Sequence, residues 1–155
     1  MKLSQLESTL VGVTGEYYVA AELSIRGYLA SVTLRNSRGI DIIASNSDAS
    51  RSISIQVKTS KKGLPKWVLT KKAEDFCSDN HFYVFTRLNE IGQRPVFYIV
   101  PSTVVAGYCA KTHKQYVRGK KKDGSPRKDS SMRIFEDYED VYRERWELLG
   151  LGSFE

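Results

Sequence analysis

The sequence predicts an α/β fold: a mixed β-sheet flanked by helices. Three observations point there. Helix-like and strand-like stretches follow one another in the order helix, three strands, helix, strand, strand, helix. Residues 52–59 alternate Ile53, Ile55 and Val57 with Ser54, Gln56 and Lys58, the period-two pattern of a strand with one core face. Residues 82–86 and 96–100 are instead almost continuously apolar, as strands covered on both faces are. The length of 155 residues suits one domain over 1–155, with 101–155 as a C-terminal extension of helix and basic loop. A chain of this size buries roughly 68–70% of its unfolded surface, enough for a true core.

Taken in order, Leu3, Leu6 and Leu10 have helical spacing and predict a short leading helix over 3–11. Gly12 and Thr14-Gly15 interrupt it. A second helix runs over 14–26, capped by Thr14 and ended by Gly27, with Arg26 in its last turn. Val19, Ala20 and Leu23 share one face of this helix, and Glu16 falls on the same face. Glu22 points elsewhere, four residues before Arg26, and reads as a solvated surface charge. Strands are expected at 28–34, 40–44 and 52–59, the last two joined as a hairpin across the turn-forming residues 46–51. A basic loop with Gly63 and Pro65 follows, then a short strand at 67–69 and a short helix at 71–76. After the two apolar strands, Pro101-Ser102 opens a helix through Val104, Val105 and Tyr108. Residues 111–128 read as basic and turn-rich. A closing helix over 135–149 is predicted from the spacing of Tyr138, Val141, Tyr142 and Trp146.

Apolar residues make up 41% and charged residues 27%, an ordinary soluble balance. The net charge of +6 favours an anionic partner, nucleic acid first and a membrane surface second. Cys77 and Cys109 are far apart and have no His at ligand spacing, which argues against a zinc site or a disulfide framework. Both read as buried thiols in a reducing compartment. Residues 1–11 lack the apolar core of a signal peptide, and no apolar run approaches the roughly 18 residues of a membrane span. The expected location is the cytoplasm.

The polar groups on the predicted hairpin carry the chemistry. Period two puts Gln56 and Lys58 on one strand face, roughly 7 Å apart, and Asp41 stands on the neighbouring strand. Mg²⁺ takes hard oxygen ligands. Asp41 offers a carboxylate, Gln56 an amide oxygen and Val57 its main-chain carbonyl. Glu16 projects towards the same place from the preceding helix. Lys58 cannot bind a cation, but it can orient a water or neutralise a phosphate. Two carboxylates on a core-side face are costly unless a cation offsets them. Each group also has an ordinary alternative: Asp41 as a strand-start charge tied to Arg35 or Arg38, Gln56 and Lys58 as a polar strand face, Glu16 as an acid in a helix's first turn.

Gly39-Ile40-Asp41-Ile42-Ile43-Ala44 followed by Ile55-Gln56-Val57-Lys58 resembles the signature of the PD-(D/E)XK nuclease superfamily. Gly15-Glu16, then Ala20-Ala21-Glu22-Leu23 and Gly27-Tyr28, resembles the preceding helix of archaeal Holliday-junction resolvases. The resemblance covers about residues 14–60, with weaker agreement through 82–86. It implies a restriction-endonuclease-like fold with an αβββαβ core. Glu16, Asp41 and Lys58 match the family's helix glutamate, strand aspartate and lysine. Gln56 departs from the commoner glutamate, as in Mrr-like restriction endonuclease domains, and leaves the site one negative charge poorer. Ile40 stands where proline is common.

The implied activity is hydrolysis of phosphodiester bonds, of DNA before RNA, by a Mg²⁺-activated water, with Mn²⁺ as the substitute metal. Glu16, Asp41, Gln56 and Lys58 are the implied catalytic set, and Glu16, Asp41, Gln56 and Val57 the metal ligands. Small members of such folds often dimerise to cut two strands, so a homodimer is carried as an expectation. Lys61, Lys62 and Lys66, with Lys71 and Lys72, form one basic patch beyond the hairpin. Lys120, Lys121 and Lys122, with Arg127 and Lys128, form a second. Both are candidates for phosphate contact, against the plain alternative of solvated loops. The departure at Gln56 keeps a second reading open: a catalytically inactive nucleic-acid-binding or interaction module on the nuclease fold. A third is a nuclease effector or toxin. Trp67 could stack on a base, against the favoured alternative of a core or edge role; Trp146 reads as an anchor for the closing helix, and His81 and His113 as bystanders.

Overall fold

The structure is a computed structural model and describes residues 2–34 and 39–152. Arg35 and Arg38, the expected ion-pair partners of Asp41, lie outside the described residues. In chain order the elements are α1 (Ser8–Ile25), β1 (Leu29–Val32), β2 (Ile42–Ser45), β3 (Ser52–Ser60), β4 (Lys66–Thr70), α2 (Lys72–Asp75), β5 (His81–Arg87), β6 (Val96–Pro101), α3 (Ser102–Arg118) and β7 (Met132–Glu136), with 3₁₀ turns at Leu3–Gln5 and Trp146–Leu149.

The main sheet has the order β1-β2-β3-β5-β6. Only β3 and β5 are parallel; the other neighbours are antiparallel. A parallel pair needs a crossover, and β4 with α2 supplies it. β4 pairs instead with β7 in a separate two-stranded sheet. The architecture is thus α/β, with a mixed five-stranded sheet flanked by helices.

Alternation along the strands builds two cores, one on each sheet face. Ile53, Ile55 and Val57 of β3, with Phe82 and Val84 of β5, meet Val19 and Leu23 of α1. On the other face, Tyr83 and Phe85 of β5 meet Trp67, Leu69 and Phe135 of the β4–β7 pair and Val105 and Cys109 of α3. Buried on both faces, β5 and β6 need the continuous apolar runs they have. Gln56 and Lys58 share the second face with Tyr83 and Phe85, their register partners on β5.

α1 is one helix from Ser8, not two parted at Gly12, and Thr14 lies inside it while Glu7 takes the N-cap. The leading segment forms only a 3₁₀ turn. An interior glycine costs a helix about 1 kcal/mol; burial of Val11, Val19 and Leu23 carries α1 through two of them. Gly15 is required where it stands. A Cβ there would lie 1.8 Å from the Thr59 Oγ1, so the helix backbone seats directly on β3.

The predicted closing helix does not form. Residues 132–136 are β7, and the chain then runs beside β6: the Ile99 N–H donates to the Tyr142 carbonyl and the Glu144 N–H to the Phe97 carbonyl. Asp137 caps the turn by accepting the N–H groups of Val141 and Tyr142 at 2.9 and 2.8 Å. Asp140 and Glu144 have positive φ, 55° and 54°, which a helix cannot hold. Trp146 is buried as expected, but on a 3₁₀ turn. α3 extends through Arg118, so residues 111–118 are helical, not turns. Cys109 is buried, whereas Cys77 is exposed. Glu22 is not a solvated charge: its side chain keeps 15% exposure and pairs with both Arg26 and Arg94. Among the described residues no helix is long and apolar enough to cross a membrane.

Candidate functional site

β2 leaves the ladder at Asp41, and the side chain takes over from the backbone there. The Asp41 N–H still donates to the Ile55 carbonyl, while its Oδ2 accepts the Val57 N–H at 2.7 Å. Even-numbered β3 residues turn their backbone groups towards β5: the Ser54 N–H donates to the Asn80 carbonyl and the Ser60 carbonyl accepts the Leu88 N–H. Odd-numbered residues face the β2 side. A strand residue sends its N–H and C=O to the same edge, so the Val57 carbonyl projects from the edge that Asp41 occupies.

Burial raises the pKa of Asp41, opposed by the Val57 hydrogen bond and by the field of the Lys58 ammonium. The Tyr83 phenol, across from Gln56, is pushed up to about 12 by burial, with Cys109, Cys77 and Asp41 adding to the rise. Asp41, Gln56, Val57 and Lys58 are therefore brought together at one edge of β3. Gln56 and Lys58 line a cleft of about 810 Å³ roofed by the end of β4 and by α2. Gly39 sits at its margin with φ of 68°, its α-carbon facing the Phe76 ring and the Gln56 Oε1.

Glu16 is half-buried on α1, next to the Gly15 that seats on Thr59, one residue beyond Lys58. No cluster of three or more His, Cys, Asp or Glu disposed to hold a metal occurs among the described residues. The donor set is one carboxylate, one amide oxygen and one main-chain carbonyl, with Glu16 on the neighbouring helix.

Three cleft residues escaped the sequence reading: Asp75, Phe76 and Tyr83. Tyr83 lies in an apolar run that looked like core, and core is most of its role. Asp75 and Phe76 end a short helix whose placement over β3 no local pattern announces. His81 is a buried ring: its Nδ1 lies 2.8 Å from the Ser54 Oγ, and burial lowers its pKa.

Three of the five lysines in the first basic patch find partners within the protein, while Lys71 and Lys72 are exposed and make no ion pair among the described residues. Lys61 donates to the Ser4 carbonyl at 2.9 Å, Lys62 pairs with Glu90 at 2.9 Å, and Lys66 with Glu136 at 3.0 Å. Lys120, Lys121 and Lys122 are exposed and make no ion pair among the described residues. A smaller cavity of about 280 Å³ lies between α3 and β7, away from the β3 edge, walled by Tyr108, His113, Tyr116 and Arg133. No protein-family model, curated protein or solved structure matches this chain.

Proposed function

We propose that this protein is a metal-dependent nuclease of the PD-(D/E)XK type, acting on the phosphodiester bonds of DNA in the cytoplasm. The observation that carries the reading is the meeting of Asp41, Val57, Gln56 and Lys58 at one edge of β3, beside an open cleft. With β4 set apart in its own two-stranded sheet, the remaining order α1, β1, β2, β3, α2, β5, with β3 parallel to β5, is consistent with a restriction-endonuclease-like αβββαβ core.

The oxygens present suit Mg²⁺, or Mn²⁺ in its place: they are hard donors, few enough that the ion keeps several waters. Asp41, Gln56 and the Val57 carbonyl would hold it, with Glu16 as the further acid. A cation there offsets the burial that raises the pKa of Asp41. Bound, the metal supplies Lewis-acid stabilisation of charge on the phosphate and acidifies a water.

The chain's own residues do the rest. The Val57 N–H fixes the Asp41 carboxylate in one orientation. Lys58 puts a positive charge on the cleft wall, where it neutralises the charge that builds on a phosphate in the transition state. α2 and the end of β4 roof the cleft and shape the space in which a phosphodiester would lie.

One observation favours the second reading, a nucleic-acid-binding module without chemistry: Gln56 in place of an acid, with no three-acid cluster among the described residues. Nicking of plasmid and branched DNA with Mg²⁺ or Mn²⁺ separates the two. We expect wild type to nick, and Asp41→Ala and Lys58→Ala to fail. Nicking that survives both substitutions overturns the site. Binding without nicking in either metal selects the second reading.

A further inference from the structure

One segment carries the protein's net positive charge. Residues 111–128 hold eight Lys and Arg against one Asp, a net +7, while the whole chain of 155 carries +6. The other 137 residues therefore sum to −1. Folding turns this segment into one ridge. Lys111, Lys114 and Arg118, three and four residues apart, lie on the exposed side of α3. At 1.5 Å per residue they span about 10.5 Å along its axis.

The chain then doubles back in a hairpin anchored to the helix end. Lys120 bridges to Pro126, the Lys121 N–H donates to the Ser125 carbonyl at 2.8 Å, and Gly124 makes the turn with φ of 82°. The Arg127 guanidinium lies 4.5 Å from the Tyr116 ring centre. Lys111, Lys114, Arg118 and Lys120–Lys122 make no ion pair among the described residues, unlike Lys62 and Lys66.

We propose that this ridge of α3 and its hairpin is where the protein grips its nucleic acid, by the phosphate backbone of a duplex. The proposal rests on the nucleic-acid reading above and assigns affinity to the ridge in place of the lysines after β3. Charge complementarity identifies the partner: phosphate contacts by unpaired cations release counterions and give binding without sequence readout. Gly107, Ala110 and Gln115 flank the helical stripe. None of these three is an aromatic of the kind on which single strands stack, or a large apolar side chain of the kind that enters a lipid surface, and the exposed ring of the ridge, Tyr116, already has the Arg127 guanidinium over it.

The test is duplex binding in EDTA, with a duplex of roughly 20 base pairs, across salt from about 50 to 200 mM. A ridge variant, K111Q/K114Q/R118Q/K120Q/K121Q/K122Q, is compared with wild type and with K61Q/K62Q/K66Q. At about 0.9 in log–log slope per phosphate contact, we expect the ridge variant to flatten the salt dependence by about 3 or more and the control to change it by less than about 1. An unchanged slope in the ridge variant, or equal losses in both variants, overturns the proposal. So does tighter binding to a single strand of the same length, or to phosphatidylserine vesicles, than to the duplex. Since no metal is present, a protein that never cleaves but shows the slope change refutes the nuclease and leaves the ridge standing. One that cleaves with the slope unchanged does the reverse.

Discussion

Two places in this molecule bring acids and bases together from distant sequence, and they resolve the encounter differently. Arg94 is clasped between two glutamates: it donates to Glu22 at 2.8 and 2.7 Å and to Glu144 at 2.8 and 2.9 Å. Arg26 adds a further bond to Glu22 at 2.7 Å. Arg94 therefore holds the Glu22 carboxyl below its ordinary value, outweighing burial. For Glu144, burial alone would raise the pKa, but the bonds from Arg94 and Trp146 together bring it down. At Asp41 the balance reverses. Burial dominates, the carboxylate is bonded to a backbone N–H, and Lys58 acts on it only through its field. Charges that neutralise one another hold structure together. A half-buried acid with its cation held at a distance is a standing demand for another, and such perturbed groups gather where chemistry is done.

The largest effect that could break this contrast is on cleavage. Asp41→Ala or Lys58→Ala should lower the nicking rate by about 10²–10³ or more, with the fold intact by circular dichroism. Arg94→Met should leave nicking within about twofold of wild type; a loss as large as that of Asp41→Ala would erase the distinction. On stability the order inverts. Arg94→Met should cost about 1 kcal/mol by urea denaturation, the upper end for partly exposed pairs in a network; no measurable change would mean the glutamates are as well served by water.

Asp41→Asn keeps an acceptor for the Val57 N–H and removes the half-buried charge. In EDTA it should be more stable than wild type by about 0.5–1 kcal/mol on urea denaturation; lower stability would show that the carboxylate supports the metal-free fold. Smallest is a pH effect. Glu22 and Glu144 have folded pKa values below the ordinary 4.5. Their contribution is complete above that value and is lost as pH falls through the lowered ones. Wild type should thus lose stability towards acid more steeply than Arg94→Met. Parallel acid profiles would remove the network from the account.

Much of this was legible wherever one local pattern decided the structure. The period-two alternation of 52–59 put Gln56 and Lys58 on one face, and no boundary error could separate them. The apolar runs of β5 and β6 announced strands buried on both faces. Reading failed where tertiary bonding overrode a local period. Tyr138, Tyr142 and Trp146 have helical spacing, yet the backbone around Tyr142 and Glu144 spends its hydrogen bonds on β6. Gly12 and Gly15 resembled a helix break because the close approach to Thr59 that Gly15 permits leaves no trace in the local sequence. The β3 edge was legible; its roof, with Asp75 and Phe76, was not, since the roof exists only once α2 lies over the strand. The division of lysines into paired and unpaired was equally hidden, because Glu90 and Glu136 are remote from Lys62 and Lys66 in sequence.

The pairing of β4 with β7 has a consequence for the order in which the molecule assembles. β1, β2 and β3 are consecutive antiparallel strands that can zip together as soon as they are made. The partner of β4 arrives more than sixty residues later. Closing so long a loop is slow and comes late. The floor that carries Asp41 and Lys58 therefore forms first, and the roof is laid on it near the end of folding. A unit assembled late should also open at a lower free energy than the sheet beneath it, so hydrogen exchange in β4 should run ahead of exchange in β3.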